Sequence, residues 1–239
     1  GQTYARFALA RLQVESEAAV DELKAVINAF TDIYDLRGKA LADVKLGLVY
    51  RNRAQLKEAE ACYRMACKDT ELTGGGQSLA YALDGLGVIQ QYQDNLEEAV
   101  KSHKNAMRIF FSLRDKKGLG HVYTNLAHIE CSNGHVDKAI NFFEVAIGHF
   151  SKVGKPVGEG YALIGLSGAY SHLPKIDKAF DCLEQAEQRF FMSSDRRGQG
   201  WVAHGLGVVY RRGAQLDIAK QKFEEALKIF TEVNDARGK

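Results

Sequence analysis

The sequence repeats at an interval of about 40 residues, and this regularity constrains the fold more than any other feature of the chain. Repeats of this length each form one supersecondary unit that buries its apolar face against its neighbours. The interval is kept by Leu46, Leu86, Leu126, Leu166 and Leu206, by Ala19, Ala59, Ala99, Ala139, Ala179 and Ala219, and by Ala66, Ala106, Ala146, Ala186 and Ala226. We therefore expect a single repeat domain over residues 1–239, with six units at about 1–39, 40–79, 80–119, 120–159, 160–199 and 200–239.

Within one unit, the spacing of apolar and small residues predicts two helices. Leu206, Gly207 and Tyr210 lie at i, i+1 and i+4, which places them on one side of a helix. A second helix is indicated by the spacing i, i+4, i+7 and i+11 of Ala219, Phe223, Ala226 and Phe230. Small residues let paired helices approach each other, and aromatic rings fill the space between consecutive pairs. Each unit is therefore expected to be a helical hairpin.

The turns and links carry their own signals. An acidic residue such as Asp217 at the start of the second helix favours the positive end of the helix dipole. Glycine recurs in the links between units, where we expect it to end the preceding helix with a positive φ, at Gly38, Gly118, Gly158, Gly198 and Gly238. One link differs from the others because Gly74, Gly75 and Gly76 follow one another, and it is the candidate hinge.

These residues, taken in order, resemble a known repeat family. The order Leu46, Gly47, Tyr50, Ala59, Tyr63, Ala66 returns as Leu206, Gly207, Tyr210, Ala219, Phe223, Ala226 and resembles the tetratricopeptide repeat (TPR) signature. The long period is similar to that of the longer-repeat TPR proteins of the LGN/Pins type. The resemblance covers residues 40–239 well and 1–39 in part. It implies an all-α fold, a right-handed α-solenoid of about six stacked antiparallel helical hairpins, with first helices on the concave side and second helices on the convex side.

Composition argues against several classes of partner. Lys and Arg number 32 against 30 Asp and Glu, and a net charge of +2 is too balanced for a protein that binds nucleic acid through its phosphates. There is no run of about eighteen apolar residues, so membrane insertion is not expected. The four cysteines show no paired spacing, which favours reduced thiols and a cytoplasmic protein.

Residues for catalysis are not apparent, and we expect neither an enzyme nor a cofactor. His121, Asn125 and His128 recur at i, i+4 and i+7 on one helix face, which leaves a metal site conceivable. No carboxylate or cysteine joins them at ligand spacing, so groove-lining imidazoles are the favoured interpretation and no metal is expected.

A row of large side chains is the main candidate for partner binding. One position of the first helices, recurring once in each repeat, holds Leu41, Tyr81, His121, Tyr161 and Trp201. Aromatic anchors of this kind are typical of binding hot spots, although they could equally pack against the second helix of the preceding repeat. A second position brings arginines to the groove rim, and Gly85, Gly165 and Gly205 are expected to open the inner wall to a partner. The predicted partner-binding residues are Arg51, Tyr81, Asp84, His121, Asn125, His128, Tyr161, Trp201, His204, Arg211 and Arg212.

The favoured function is a protein interaction scaffold that holds a peptide segment of a partner protein in the concave groove. The alternative is a sensor module whose superhelix changes shape when a ligand or peptide binds. A clamp for the acidic tail of a chaperone is disfavoured, because its lysine and asparagine positions hold Val44, Asp84, Leu48, Val88 and Asn125. Phe223, Leu227 and Phe230 are expected to lack part of their cover, so we expect a fragment of a longer array or a possible dimer through this end.

Overall fold

The computed structural model describes residues 1–12, 18–74 and 76–233 of the chain, and in these residues the secondary structure consists of twelve α-helices without a strand. The helices are α1 (Gln2–Leu12), α2 (Ala19–Asp32), α3 (Leu36–Asn52), α4 (Leu56–Thr73), α5 (Gly76–Tyr92), α6 (Leu96–Ser112), α7 (Lys116–Ser132), α8 (Val136–Ser151), α9 (Pro156–Ser171), α10 (Ile176–Met192), α11 (Arg196–Arg212) and α12 (Leu216–Glu232). The all-α prediction is confirmed. None of these helices is both long enough and apolar enough to span a bilayer.

The helices follow the period of the sequence. From α3 onward each first helix begins one repeat period after the last, at Leu36, Gly76, Lys116, Pro156 and Arg196, and the second helices begin at Leu56, Leu96, Val136, Ile176 and Leu216. The chain forms two compact units, residues 1–114 with α1 to α6 and residues 115–239 with α7 to α12. We call them unit 1 and unit 2 and describe each by itself.

Within each unit the helical hairpins stack so that the first helices lie on the inner side. In unit 2, α9 contacts both α7 and α11, and in unit 1, α3 contacts both α1 and α5. The second helices of a unit make no comparable contact with one another in the described part of the chain. Because the layer with the closer spacing lies inside a curve, the first helices line the concave side of each unit, as the sequence resemblance implied.

Phenylalanine rings wedge consecutive hairpins together. The ring of Phe150, which is buried, lies against Gly120 of its own hairpin and against Gly158 of the next one. Phe190 occupies the equivalent place between Gly160 and Gly198. This arrangement confirms that aromatic side chains fill the space between hairpins. Each phenylalanine ring fits there because the neighbouring glycines have no side chain.

The link glycines do not end helices, which corrects the expectation stated for them. Gly38, Gly118 and Gly198 lie three residues after Asp35, Asp115 and Asp195, and each donates its backbone N–H to that aspartate at 2.9 Å. The aspartates are N-caps, so the glycines already lie in the first turn of the next helix. Gly158 lies likewise inside α9, and Gly238 lies outside the described residues.

Most turns contain a left-handed residue, although few of these residues are glycines. Positive φ is found at Tyr34, Ala54, Asp94, Arg114, Ser194 and Ala214, with Gly74, Gly134 and Gly154 at the equivalent turn positions. In the candidate hinge, Gly74 has a φ of 65° and Gly76 begins α5, while Gly75 lies outside the described residues. The expected acidic residues are present in the first turn of α4, α6, α8, α10 and α12.

The last hairpin is better covered than the sequence suggested. Phe230 is only 1% exposed, because Trp201 and Ala203 of α11 pack against it, so the expectation that it lacks cover is wrong. Phe223 is half-buried, whereas Leu227 is 51% exposed. A dimer through this end stays a prediction.

Candidate functional site

The concave face of unit 2 gathers most of the predicted partner-binding residues. Here α9 contacts both α7 and α11, and these three first helices carry half-exposed and exposed side chains. Eight of the predicted residues lie on these helices, at His121, Asn125, His128, Tyr161, Trp201, His204, Arg211 and Arg212. The other three, Arg51, Tyr81 and Asp84, lie on α3 and α5 of unit 1.

Each ring in the row of large side chains packs on a phenylalanine and stays partly exposed to solvent. Tyr161 meets Phe190 with ring centroids 5.0 Å apart, and Trp201 meets Phe230 at the same separation. His121 stands edge-on to Phe150 at 5.0 Å, and in unit 1 Tyr81 stands edge-on to Phe110 at 4.8 Å. Each ring therefore packs on a phenylalanine of the second helix of its own hairpin and keeps part of its surface exposed. Packing and partner contact are compatible here, because each ring contacts a phenylalanine and is only partly buried.

A continuous run of rings follows α11. The indole of Trp201 lies 5.6 Å from the imidazole of His204, which lies 5.5 Å from the ring of Phe223. Burial and, to a smaller extent, the positive charge of Arg211 lower the pKa of His204 below its ordinary value. This edge of the face therefore favours an uncharged imidazole beside a charged guanidinium.

The two histidines of α7 contact different phenylalanines. His128 is exposed and stands edge-on to Phe143 at 5.1 Å, while His121 contacts Phe150. Within the described residues, no three His, Cys, Asp or Glu side chains converge as metal ligands would. Asn125 lies half-buried between the two histidines on the same helix.

Other side chains of the protein fill the space beside the glycines of the inner wall, which corrects the role predicted for these glycines. A methyl group on Gly165 would lie 2.3 Å from the ring of Phe143, and one on Gly205 would lie 2.7 Å from Leu183. Gly85 is blocked in the same way by Tyr63. These positions receive side chains of the preceding hairpin and are closed to a partner.

One glycine of a first helix does face open space, and it was not among the predicted site residues. Gly168 of α9 has no atom within 4 Å of the place where a side chain would begin. The equivalent positions of the neighbouring first helices hold His128 and Val208, and Ile164 lies one turn before Gly168, all with exposed surface. The repeat register was the signal that could have identified this position.

Two arginines lie at the C-terminal end of α11. Arg212 donates to the carbonyl oxygen of Ser171 at 2.9 Å and contacts the imidazole of His172 at 3.1 Å, which ties α11 to the end of α9. Arg211 is exposed and borders a concavity of about 340 Å³ that α12 lines with Leu216, Phe223 and Leu227 among other residues.

In unit 1, one predicted site residue serves a buried hydrogen-bond network. Asp84 is buried and accepts from Nδ1 of His103 at 2.8 Å, and the amide of Gln91 donates to Nε2 of the same ring at 2.8 Å. His103 is fully buried on α6, at the position that Tyr63 and Phe143 occupy in other hairpins. The half-buried Arg51 has an Nε atom without a hydrogen-bond partner among the described residues.

Comparison with known proteins gives a match in structure only. No protein family model matches the sequence, and no curated protein matches it. A Rap protein solved in complex with competence and sporulation factor superposes with a TM-score of 0.81 at 16% identity, over 98% of this chain and 66% of that one. The fold is a TPR-like helical repeat. The Rap conjugation gene regulator of plasmid pLS20, solved in complex with the Phr* peptide, has a similar structure. It superposes with a TM-score of 0.73 at 12% identity, over 95% of this chain and 72% of that one.

A third TPR-like neighbour contains its repeats within a much longer chain. It is a signal transduction ATPase with numerous domains and a tetratricopeptide repeat sensor from Pyrococcus horikoshii, with a TM-score of 0.68 and 20% identity. The match covers 96% of this chain and 36% of that one. The chain thus spans about two thirds of the first Rap protein and about a third of the ATPase.

Proposed function

We propose that this protein binds a peptide segment in the concave face of unit 2. The observation that carries the proposal is the row formed by His121, Tyr161 and Trp201, whose rings are held by buried phenylalanines and yet remain partly exposed. Aromatic groups held rigidly in this way contribute contact area at low entropic cost. The Rap neighbours that were solved with a signalling factor and with a peptide support the same conclusion by likeness of fold.

The open space beside Gly168 allows a direct test of the proposal. No atom lies within 4 Å of the place where a side chain at this position begins, so we expect a phenylalanine here to extend from the first helix without removing a packing contact. We expect Gly168→Phe to retain the helical circular dichroism spectrum and to lose at least about tenfold in affinity for peptides that the parent protein selects from a random displayed library.

Two further variants complete the test. Trp201→Ala should weaken the same peptides, and Phe191→Ala is its control, because Phe191 is 78% exposed at the end of α10, a second helix. Peptides that bind Gly168→Phe and Trp201→Ala as tightly as the parent protein would place binding elsewhere and refute the proposal. A library that yields no binder would also refute it.

Use of the face as a sensor is the second candidate function. The ATPase neighbour, which carries its tetratricopeptide repeats as a sensor, favours it. Gly74, with a φ of 65°, is the described part of the candidate hinge. A selected peptide that changes the small-angle scattering curve of the parent protein would support a sensor, and an unchanged curve with bound peptide would support a scaffold. In both cases we propose a binding protein of the long-repeat TPR type, not an enzyme.

A further inference from the structure

Charge is divided unevenly between the two helix layers. The six first helices contain twelve Lys and Arg residues and four Asp and Glu residues. The six second helices contain thirteen Lys and Arg residues and nineteen Asp and Glu residues. The chain as a whole is nearly neutral at +2, so this division is not a consequence of overall composition.

Each of the four acidic residues of the first helices is bonded to a basic or imidazole group of its own unit. Asp43 is paired with Lys39, Asp84 with His103, Glu130 with Lys138 and Glu159 with Arg189. The N-cap Asp195 beside this layer accepts a backbone N–H from Gly198. The acidic groups of the inner layer are therefore engaged. Of its basic groups, Lys39 and Arg196 also pair with acidic residues of second helices.

The concave edge of unit 2 formed by α11 shows this excess most clearly. This helix contains Arg196, Arg197, Arg211 and Arg212 and no acidic residue. Arg196 is paired with Glu232 at 3.0 Å, but Arg211 is exposed and has no ion pair within the described residues. Two imidazoles lie near these arginines, His204 on the same helix and His172 against Arg212.

We propose that the segment bound by the concave face of unit 2 is acidic, with a carboxylate at Arg211 and apolar side chains on Trp201 and the surface beside Gly168. This inference rests on the proposed function and specifies the chemistry of its ligand. A guanidinium prefers a carboxylate, since the two form charge-assisted, bidentate hydrogen bonds.

The length of α11 sets the spacing within such a segment. Trp201 and Arg211 are ten residues apart, which corresponds to about 15 Å along a helix axis. An extended peptide covers this distance with about five residues. The carboxylate is therefore expected about five residues from the apolar side chain that contacts Trp201.

A nucleic acid is the other polyanion that a positive layer could attract, and the face suits it poorly. Phosphate binding requires basic groups repeated along a path, whereas here the half-exposed positions of α9 and α11 include the uncharged Tyr161, Ile164 and Val208. An acidic peptide places charge at one end of this face and apolar side chains on it. Binding of a nucleic acid is therefore kept as a separate outcome of the experiment.

The experiment sorts the peptides that the parent protein selects from a random displayed library by their net charge. We expect the selected peptides to be acidic, to bind more weakly as sodium chloride is raised, and to lose at least about tenfold in affinity with Arg211→Glu. Lys228→Glu is the matched control, because it makes the same charge change at an exposed position of the second helix α12 and should leave the affinity within about twofold.

The outcomes separate this inference from the proposed function. Neutral or basic peptides that bind the parent protein and lose binding with Gly168→Phe would overturn the acidic ligand and leave the peptide-binding face intact. A labelled single-stranded RNA that binds more tightly than every selected peptide and is released by Arg211→Glu would overturn it in favour of nucleic acid. If no peptide is selected at all, the proposed function itself fails.

Discussion

At the scale of single residues, the glycines show how closely the hairpins fit together. A methyl group on Gly198 would lie 2.1 Å from Cδ1 of Phe190, a ring that is completely buried. We expect Gly198→Ala to lower the free energy of unfolding by about 1–3 kcal/mol, because the ring cannot move without displacing α11. Urea titration followed by circular dichroism measures the effect.

Gly168→Ala is the matched control for that substitution. It is also a glycine inside a first helix, but no atom lies within 4 Å of the added methyl group. The higher helix propensity of alanine should then raise stability by about 0.5–1 kcal/mol. Equal effects of the two substitutions would show that helix propensity, and not the fit of Phe190, determines the cost at Gly198.

The buried network of unit 1 gives a second prediction. Asp84→Ala removes the acceptor of the fully buried Nδ1 of His103 and should cost about 1–3 kcal/mol of stability. In the double variant Asp84→Val with His103→Phe, apolar side chains take both places, as Val44 and Tyr63 do in the preceding hairpin. We expect this double variant to recover part of the loss. Single-variant effects that simply add in the double variant would contradict the coupling.

The lowered pKa of His204 leads to a third prediction. Burial and Arg211 both disfavour the imidazolium, so the folded state resists protonation and stability should fall as the pH drops through the unfolded pKa of about 6.5. Arg211→Ala removes one of these causes, so the pKa of His204 should rise in a proton NMR titration. Arg196→Ala serves as the control, because Arg196 is paired with Glu232. A pKa that stays unchanged in Arg211→Ala would leave burial as the sole cause.

At the scale of helices, the N-caps distinguish two kinds of helix start. Asp195 accepts the N–H of Gly198 at 2.9 Å, whereas Gln215, the N-cap of α12, makes no side-chain cap bond. We expect Asp195→Ala to cost about 0.5–2 kcal/mol and Gln215→Ala to cost far less. Thermal unfolding of both variants at one pH measures the difference, and comparable losses would refute a capping role for Asp195.

These same starts show where sequence reasoning succeeded and where it failed. The leucine and alanine registers sufficed to predict the hairpins, because their spacing reports directly which helix face is buried. The role of Gly198 was misjudged, since a glycine near a helix boundary fits either end. The aspartate three residues earlier was the missing clue, because it marks an N-terminus. Gly165 was misjudged for another reason, since only the packed neighbour shows that Phe143 fills its place.

For the whole molecule, the residues that carry the proposed site could be predicted only in part. The row from His121 to Trp201 followed from the period alone, because equivalent positions of stacked repeats fall in line. The burial of Asp84 could not be inferred, since its partner His103 takes an aromatic position from another helix. The excess of Lys and Arg in the first helices was not predicted either. It becomes visible only when the charged residues are counted separately for the first and second helices and the ion pairs of the acidic residues are known.

The division into two compact units leads to the last prediction. The main core of unit 2, which includes Phe143, Leu163, Leu183 and Phe190, is built from its own helices, and repeat arrays are stabilised by contacts between neighbouring hairpins. Residues 115–239 expressed alone should therefore remain helical and unfold cooperatively in urea. Residues 134–239 provide the control, because they lack α7, whose Gly120 lies against Phe150. This shorter chain should unfold at a lower urea concentration, and equal midpoints, or a 115–239 chain without cooperative unfolding, would contradict an independent core.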